Sequence, residues 1–383
     1  MTSAAGAADA DEFAAWLRLL ETPGIGRGGA RRLLAAFGSP MAVFDAPPAA
    51  LKTVVDTACA RALGEWPPEF RQRLDAARAW LDGGPARHVI TLGDAAYPSR
   101  LLQTADPPLV LYVEGDVQLM SAPSVAVVGS RAPTPQGLAN AREFALQLSR
   151  RGLVVVSGLA LGVDGAAHAG ALEGLARGGG ATVAVVGTGL DITYPKRHAA
   201  LAARIAAGGG ALVSEFAPGT PALPEHFPLR NRIIASMTLG TLVVEAALKS
   251  GSLITARLAV EAGREVFAIP GSIHSAQSHG CHALIRQGAA LVESADEVAD
   301  LLLSMAPRKA AAQGASEVPA QDAGDAPADP LLDALGHDPT HLDALQARTG
   351  WPTAELLARL LELELEGRVA RLPGGLYQQL AST

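Results

Sequence analysis

From Ser124 to Val292 the chain alternates between two patterns. Short runs of Val, Ala and Leu stand at 124–128, 153–157, 182–187, 211–214, 240–244, 265–269 and 289–292. Most are separated by segments of helix-forming composition, such as 140–150 and 198–207. Strands apolar on both faces and alternating with helices predict a doubly wound, mostly parallel α/β sheet of Rossmann-like type. Two further extended runs, 88–92 and 109–113, precede it, with Tyr97-Pro98 and Asp106-Pro107-Pro108 between them.

The flanks read differently. Phe13, Trp16, Leu17, Leu19 and Leu20 have helical apolar spacing, and residues 13–82 are expected to be helical. Pro23-Gly24-Ile25-Gly26 lies between two of these helices. It fits either a helix-hairpin-helix, whose backbone N–H groups face a phosphate, or a plain turn in a small bundle. Residues 306–329 are rich in Ala, Pro, Gly and Asp without apolar periodicity, which predicts a disordered linker. Beyond it, helices are expected at 331–335, at 341–348 with Thr340 as its cap, and from Pro352-Thr353 to about Glu366. A hairpin follows, 368–372 with 376–380, and three helices plus a hairpin make a winged helix. The expected division is therefore 1–85 (helical, SAM-like or helix-hairpin-helix-like), 86–305 (Rossmann-like), 306–329 (linker) and 330–383 (winged helix).

At 383 residues the chain is long enough for several domains with real cores. Two cysteines, Cys59 and Cys281, exclude a disulfide framework or a zinc ribbon. No apolar stretch reaches the roughly 18 residues of a membrane span, and the N-terminus lacks signal-peptide character. A cytoplasmic protein with no membrane partner is expected. The net charge of −7 argues against nucleic acid at first sight. Residues 121–300, however, hold 14 Lys and Arg against 13 Asp and Glu, so the acidity sits in the flanks and the middle is neutral. A local anion site in the middle is compatible with that balance.

Ligands of doubly wound sheets bind at the carboxyl ends of the strands. Those ends here carry Gly129-Ser130-Arg131, Ser157-Gly158, Gly187-Thr188-Gly189, Ser214-Glu215, Glu245 and Ser250-Gly251-Ser252. Small residues let backbone N–H groups approach a ligand, and Arg131 offers a bidentate phosphate donor. Thr134-Pro135 opens a helix whose N-terminus is expected to favour an anion. No loop matches the dinucleotide fingerprint or a Walker A motif, so no cofactor is expected. Arg230-Asn231-Arg232 after Phe227-Pro228 is a second cationic cluster, suited to phosphate contact plus base stacking or to helix-start ion pairs. His274, His279, Cys281 and His282 match no standard zinc spacing, and no metal is expected. Asp164 and His168 share one helix face and read as a capping Asp with a partly buried His rather than an acid–base pair. No catalytic triad stands out.

These motifs, in this order over residues 94–292, resemble the DNA-processing protein A family (DprA, also called Smf). The resemblance rests on Tyr97-Pro98, Gly129-Ser130-Arg131, Ser157-Gly158-Leu159-Ala160, Asp164 with His168, Tyr194-Pro195, Phe227 with Arg230-Asn231-Arg232, Ser250-Gly251-Ser252 and Pro270-Gly271-Ser272. It implies a non-enzymatic homodimer of natural transformation that binds single-stranded DNA, protects it and loads a RecA-type recombinase. The family's phosphate-binding arginine maps to Arg131, its basic position after Tyr-Pro to Lys196 with Arg197 beside it, and its Arg-Asn-Arg pair to Arg230 and Arg232. The expected DNA-binding set is thus Gly129, Ser130, Arg131, Gly158, Lys196, Arg197, Phe227, Arg230, Asn231, Arg232, Ser250, Gly251 and Ser252. The third helix of the winged module bears Glu355, Glu362 and Glu364, with Glu366 at its end. Phosphate repels such a helix, which favours protein contact there. The competing expectation is a Rossmann-like enzyme cleaving a nucleotide N-glycosidic bond, with Glu245 as its acid, although the paired glycines of such enzymes are missing before it.

Overall fold

The computed structural model describes residues 4–305, 330–335, 340–349, 351–366, 368–372 and 376–379. The expected linker, 306–329, lies outside the described residues. The chain forms two compact units, Met1–Arg308 and Lys309–Thr383.

The first unit is built on nine strands: β1 (Arg87–Thr91), β2 (Val110–Gly115), β3 (Ser124–Val128), β4 (Val154–Ser157), β5 (Thr182–Val186), β6 (Ala211–Ser214), β7 (Gly240–Val243), β8 (Glu265–Ala268) and β9 (Ala290–Leu291). Their order is β1-β2-β6-β5-β4-β3-β7-β8-β9. From β6 to β9 every pairing is parallel, while β2 runs antiparallel to both β1 and β6. All residues of β3, β4, β5 and β7 are buried, which explains their unbroken apolar sequences.

The chain winds outward from β3 through β4, β5 and β6. It then returns to the other side of β3 with β7, β8 and β9. The order reverses between β3 and β7, so the ligand crevice of this sheet is expected at their carboxyl ends.

The N-terminal helices, Ala4–Glu21, Arg27–Phe37, Thr57–Leu63 and Phe70–Asp82 among them, belong to the same unit. Trp16, Leu19, Leu33 and Trp80 share one apolar core with Val110, Tyr112, Val186 and Leu212 of the sheet. The helical segment is thus packed onto the sheet through a continuous core.

The second unit contains helices Pro330–Leu335, Leu342–Thr349 and Thr353–Leu365 and a three-stranded sheet. The strands are β10 (Thr340–His341), β11 (Val369–Leu372) and β12 (Leu376–Gln379), in the order β10-β12-β11, which is a winged-helix arrangement. Thr340, expected as the cap of the second helix, pairs with Tyr377 in the short strand that runs into it. Short β10 completes the wing's sheet through a long-range pairing.

Candidate nucleic-acid interface

The loop after β3 is held tightly. Ser130 N–H donates to Glu245 O at 2.7 Å, and Ser130 Oγ accepts from Ala132 N–H at 3.1 Å. A Cβ at Gly129 would stand 2.7 Å from Val163 Cγ2 and 2.9 Å from Glu245 O, so only glycine lets β3 end this close to its neighbours. The loop turns Arg131 out of the sheet, and its side chain is exposed.

The helix start beyond it is not free. Thr134 Oγ1 accepts from Gly137 N–H at 3.0 Å. The Thr134 N–H and hydroxyl donate to the Glu245 carboxylate at 2.9 and 2.5 Å. The expectation that the N-terminus of helix Pro135–Arg150 serves an external anion is therefore corrected: an internal carboxylate already occupies it. The helix start that does line the crevice belongs to Ser252–Glu261, where Gly251 offers no side chain and Ser250 Oγ accepts from Ser252 N–H at 3.3 Å.

After β4, Leu159 takes a left-handed backbone (φ 56°). Gly158 N–H and Ala160 N–H thereby both donate to Asp164 Oδ2, at 3.1 and 3.3 Å. Arg230 lies over this turn. Its Nη1 donates to Gly158 O at 2.7 Å and to Val185 O. A Cβ on Gly158 would come within 2.6 Å of that nitrogen. Arg230 is 3% exposed, and its Nε has no hydrogen-bond partner. Burial lowers its guanidinium to about 10, against the favourable charge of Asp164. Burial likewise pushes the Asp164 carboxyl up, although Arg230 pulls it down. His168 is fully buried rather than partly so, bonded through Nδ1 to Thr182 Oγ1 at 2.8 Å.

Two adjoining cavities open at the switch point. A cleft of about 510 Å³ is lined by Gly129, Ser130, Arg131, Arg230, Asn231 and Ser250-Gly251-Ser252. A slot of about 60 Å³ beside it is lined by Gly158, Leu161, Tyr194 and Phe227. Arg131 and Arg230 face both. The Arg131 guanidinium carbon lies 5.5 Å from the Phe227 ring centroid, and Tyr194 packs on Phe227 at 5.4 Å. Lys196 and Arg197 follow Pro195 at the rim of the slot and are exposed, but line neither cavity.

Arg232 is placed elsewhere. Its Nη2 reaches both oxygens of Glu215, at 2.5 and 2.6 Å, and its Nη1 donates to Asp106 O at 2.7 Å. It lines neither cavity, so the expectation that it joins Arg230 in one groove is corrected. Outside the expected DNA-binding set, Lys249 lines the cleft and Tyr194 the slot. Their signals were present: Lys249 precedes Ser250-Gly251-Ser252, and Tyr194 precedes Pro195.

The histidine-rich stretch is a loop closed on itself. His279 Nε2 contacts Ile273 O at 3.0 Å, and His282 Nε2 contacts Gly271 O at 3.0 Å. Among the described residues no group of His, Cys, Asp and Glu is arranged to hold a metal ion. No described helix is long and apolar enough to cross a membrane.

Residues 88–303 match the family of DNA recombination-mediator protein A, and residues 315–375 match the DprA winged helix domain. The chain belongs to the DNA recombination-mediator protein A family. It is 44% identical over 308 residues to Protein Smf of Escherichia coli, an alignment covering 80% of each chain. It is 50% identical over 206 residues to DNA processing protein DprA of Streptococcus pneumoniae, covering 54% of this chain and 71% of the relative. The X-ray structure of that pneumococcal protein superposes with a TM-score of 0.63 at 37% identity, over 74% of this chain and 96% of the other. A structure reported for the single-stranded DNA binding mode of the Helicobacter pylori DNA processing protein A gives a TM-score of 0.50 at 30% identity, over 57% and 97%. The matched region, residues 88–303, contains the residues that line both cavities.

Proposed function

We propose that this protein binds single-stranded DNA at the switch-point crevice, with phosphates on Arg131, Arg230 and Lys249 and a base against Phe227 and Tyr194. The observation that carries the reading is Arg230: a buried guanidinium with an unpartnered Nε, facing a cleft beside a second arginine. Asp164, which also lines the cleft, offsets one of these cations, and the second with Lys249 leaves the cleft in favour of an anionic occupant. Arg131 and Lys249 make no ion pair among the described residues, so their charge is available. The slot fits a strand whose bases are unpaired, since stacking needs an open ring face and tolerates any base. Lys196 and Arg197 at the rim extend the cationic track, and Gly129, Ser130, Gly158, Asn231, Ser250, Gly251 and Ser252 shape the walls.

The family assignment and the Helicobacter relative support the wider role. In that role the protein works as a homodimer in natural transformation, protects incoming strands and hands them to a RecA-type recombinase for homologous recombination. It acts as a binding protein rather than as an N-glycosidic hydrolase. Glu245, the acid such an enzyme needs, has its carboxylate engaged by Thr134 at the helix start.

The test is a titration of one labelled oligonucleotide as a single strand and as its duplex, with the full chain. Tighter single-strand binding is expected, and equal or tighter duplex binding contradicts the reading.

A further inference from the structure

Five charged side chains from four segments meet where helix Arg27–Phe37 touches the sheet unit. Arg27 Nη2 lies 3.0 Å from Asp106 Oδ2, and its Nη1 lies 3.5 Å from Glu215 Oε2. Arg31 Nη1 donates to Asp106 Oδ1. Arg232 completes the set with Nη2 donating to both Glu215 oxygens and with Nε 3.3 Å from Asp106 Oδ2. Three guanidiniums thus share two carboxylates. The pairing is sheltered: the Glu215 and Arg232 side chains are only 11% and 13% exposed. Burial alone pushes the Asp106 carboxyl up, yet the hydrogen bond from Arg31 and the charges of Arg232 and Arg27 bring it below its ordinary value.

The position of this cluster matters because of what Arg232 is attached to. Helix His226–Met237 carries Phe227 and Arg230 to the crevice, and Arg232 leaves the same helix two residues later. With Nη2 on both Glu215 oxygens and Nη1 on Asp106 O, Arg232 restrains the rotation of the helix about its axis. Arg27 and Arg31 hold Asp106 and Glu215 from the opposite side. The N-terminal helices thereby reach the crevice through a chain of charge-assisted contacts although they do not line it. Without these two arginines, Asp106 and Glu215 would share one cation. Their mutual repulsion would then pull on Arg232 and the helix behind it.

We propose that Arg27 and Arg31, which do not touch the strand themselves, are positioning residues for DNA binding that hold helix His226–Met237 so that Phe227 and Arg230 present to it. The proposal rests on the reading of the crevice as the single-stranded DNA site. It gives the Gly24–Gly26 hairpin region a role different from phosphate capture, because its arginines are turned toward protein carboxylates.

The experiment compares the full chain with Arg27→Ala/Arg31→Ala. Three readouts are taken: single-strand affinity, the slope of log K against log salt, and amide hydrogen exchange over 226–237 without DNA. Affinity should fall about fivefold, in the range of coupling through packed elements. The salt slope should stay unchanged, because no phosphate contact is lost. Exchange over 226–237 should accelerate. Arg27→Lys/Arg31→Lys keeps the charge and should restore affinity to within about twofold. A slope reduced by about 0.7 per arginine would show direct phosphate contact and overturn the proposal. Unchanged affinity and exchange would overturn it as well. If the alanine pair does not fold, Glu215→Gln removes the same restraint on Arg232 and must show the same loss at constant slope. If the unsubstituted chain binds no single strand, the crevice reading itself fails, while the exchange comparison still decides whether the arginines restrain the helix.

Discussion

Arg230 and Arg232 stand two residues apart on one helix and serve opposite sides of it. Arg230 reaches inward to Gly158 O and the crevice, and Arg232 reaches out to Glu215 and Asp106. Helix geometry requires this, since two residues subtend about 200° at 3.6 residues per turn. One is therefore a buried cation beside the crevice, and the other anchors the helix that carries it.

Replacing Arg230 tests the first role. Arg230→Ala removes the bonds to Gly158 O and Val185 O and the favourable charge beside buried Asp164, which should destabilise the fold by about 1–3 kcal/mol. Asp164→Asn, which removes the charge but keeps an oxygen for the Gly158 and Ala160 N–H groups, should recover part of that loss in the double variant. Denaturant unfolding of the two variants decides it. Equal stabilities would show that the two charges are not coupled.

Gly158→Ala should damage the site through contact alone. The added methyl meets the Arg230 guanidinium at 2.6 Å, with backbone around it that cannot retreat freely. A stability loss of about 1–3 kcal/mol is expected, together with weaker single-strand binding. Binding and unfolding curves at the level of the unsubstituted protein would contradict it.

The sheet was legible because its strands are buried on both faces and carry no polar interruption. The winged helix was legible from three helices and a hairpin. The switch point was less so, since strand order is a long-range property that the β3 and β7 sequences do not record. Lys249 is marked in the sequence only by its place before Ser250-Gly251-Ser252, and the sheet order is what brings it to the cleft. The arginine pair could have been separated by its spacing alone, because i and i+2 never share a helix face. Only the fold shows which of the two faces Glu215. The Thr134 helix start also misled, because its anion, Glu245, is 111 residues away and approaches only through the β3–β7 pairing.

Acid should weaken the fold through His168. Burial, with smaller contributions from His198 and Arg230, lowers this imidazole to about 3, below the ordinary 6.5. The unfolded chain therefore binds a proton that the folded chain refuses. This contribution is intact above pH 6.5 and is lost as pH falls toward 3, at about 1.4 kcal/mol per pH unit. Unfolding free energy measured from pH 7 to pH 4 should fall less steeply for His168→Asn than for the unsubstituted chain. Parallel curves would show that His168 is not the group responsible.

Removal of residues 309–383 should leave single-strand binding within about threefold. Glu355, Glu362, Glu364 and Glu366 are exposed along and just after helix Thr353–Leu365, and Arg359 there is paired with Glu362 at 2.6 Å. Such a surface repels phosphate. A tenfold loss, about 1.4 kcal/mol, in a truncated chain of unchanged oligomeric state would assign the module a DNA contact.

The most direct test of the account is the salt dependence of single-strand binding before and after Arg131→Ala. Arg131 is exposed and makes no ion pair among the described residues, so its removal should leave the thermal midpoint unchanged. Contacts from Arg131, Arg230, Lys249 and Lys196 predict a slope of log K against log salt near −3, at about −0.7 per phosphate. Arg131→Ala should bring the slope to about −2 and lower the affinity at least tenfold at low salt, whatever the base sequence. An unchanged slope and affinity in the Arg131 variant would show that the strand does not lie in this crevice.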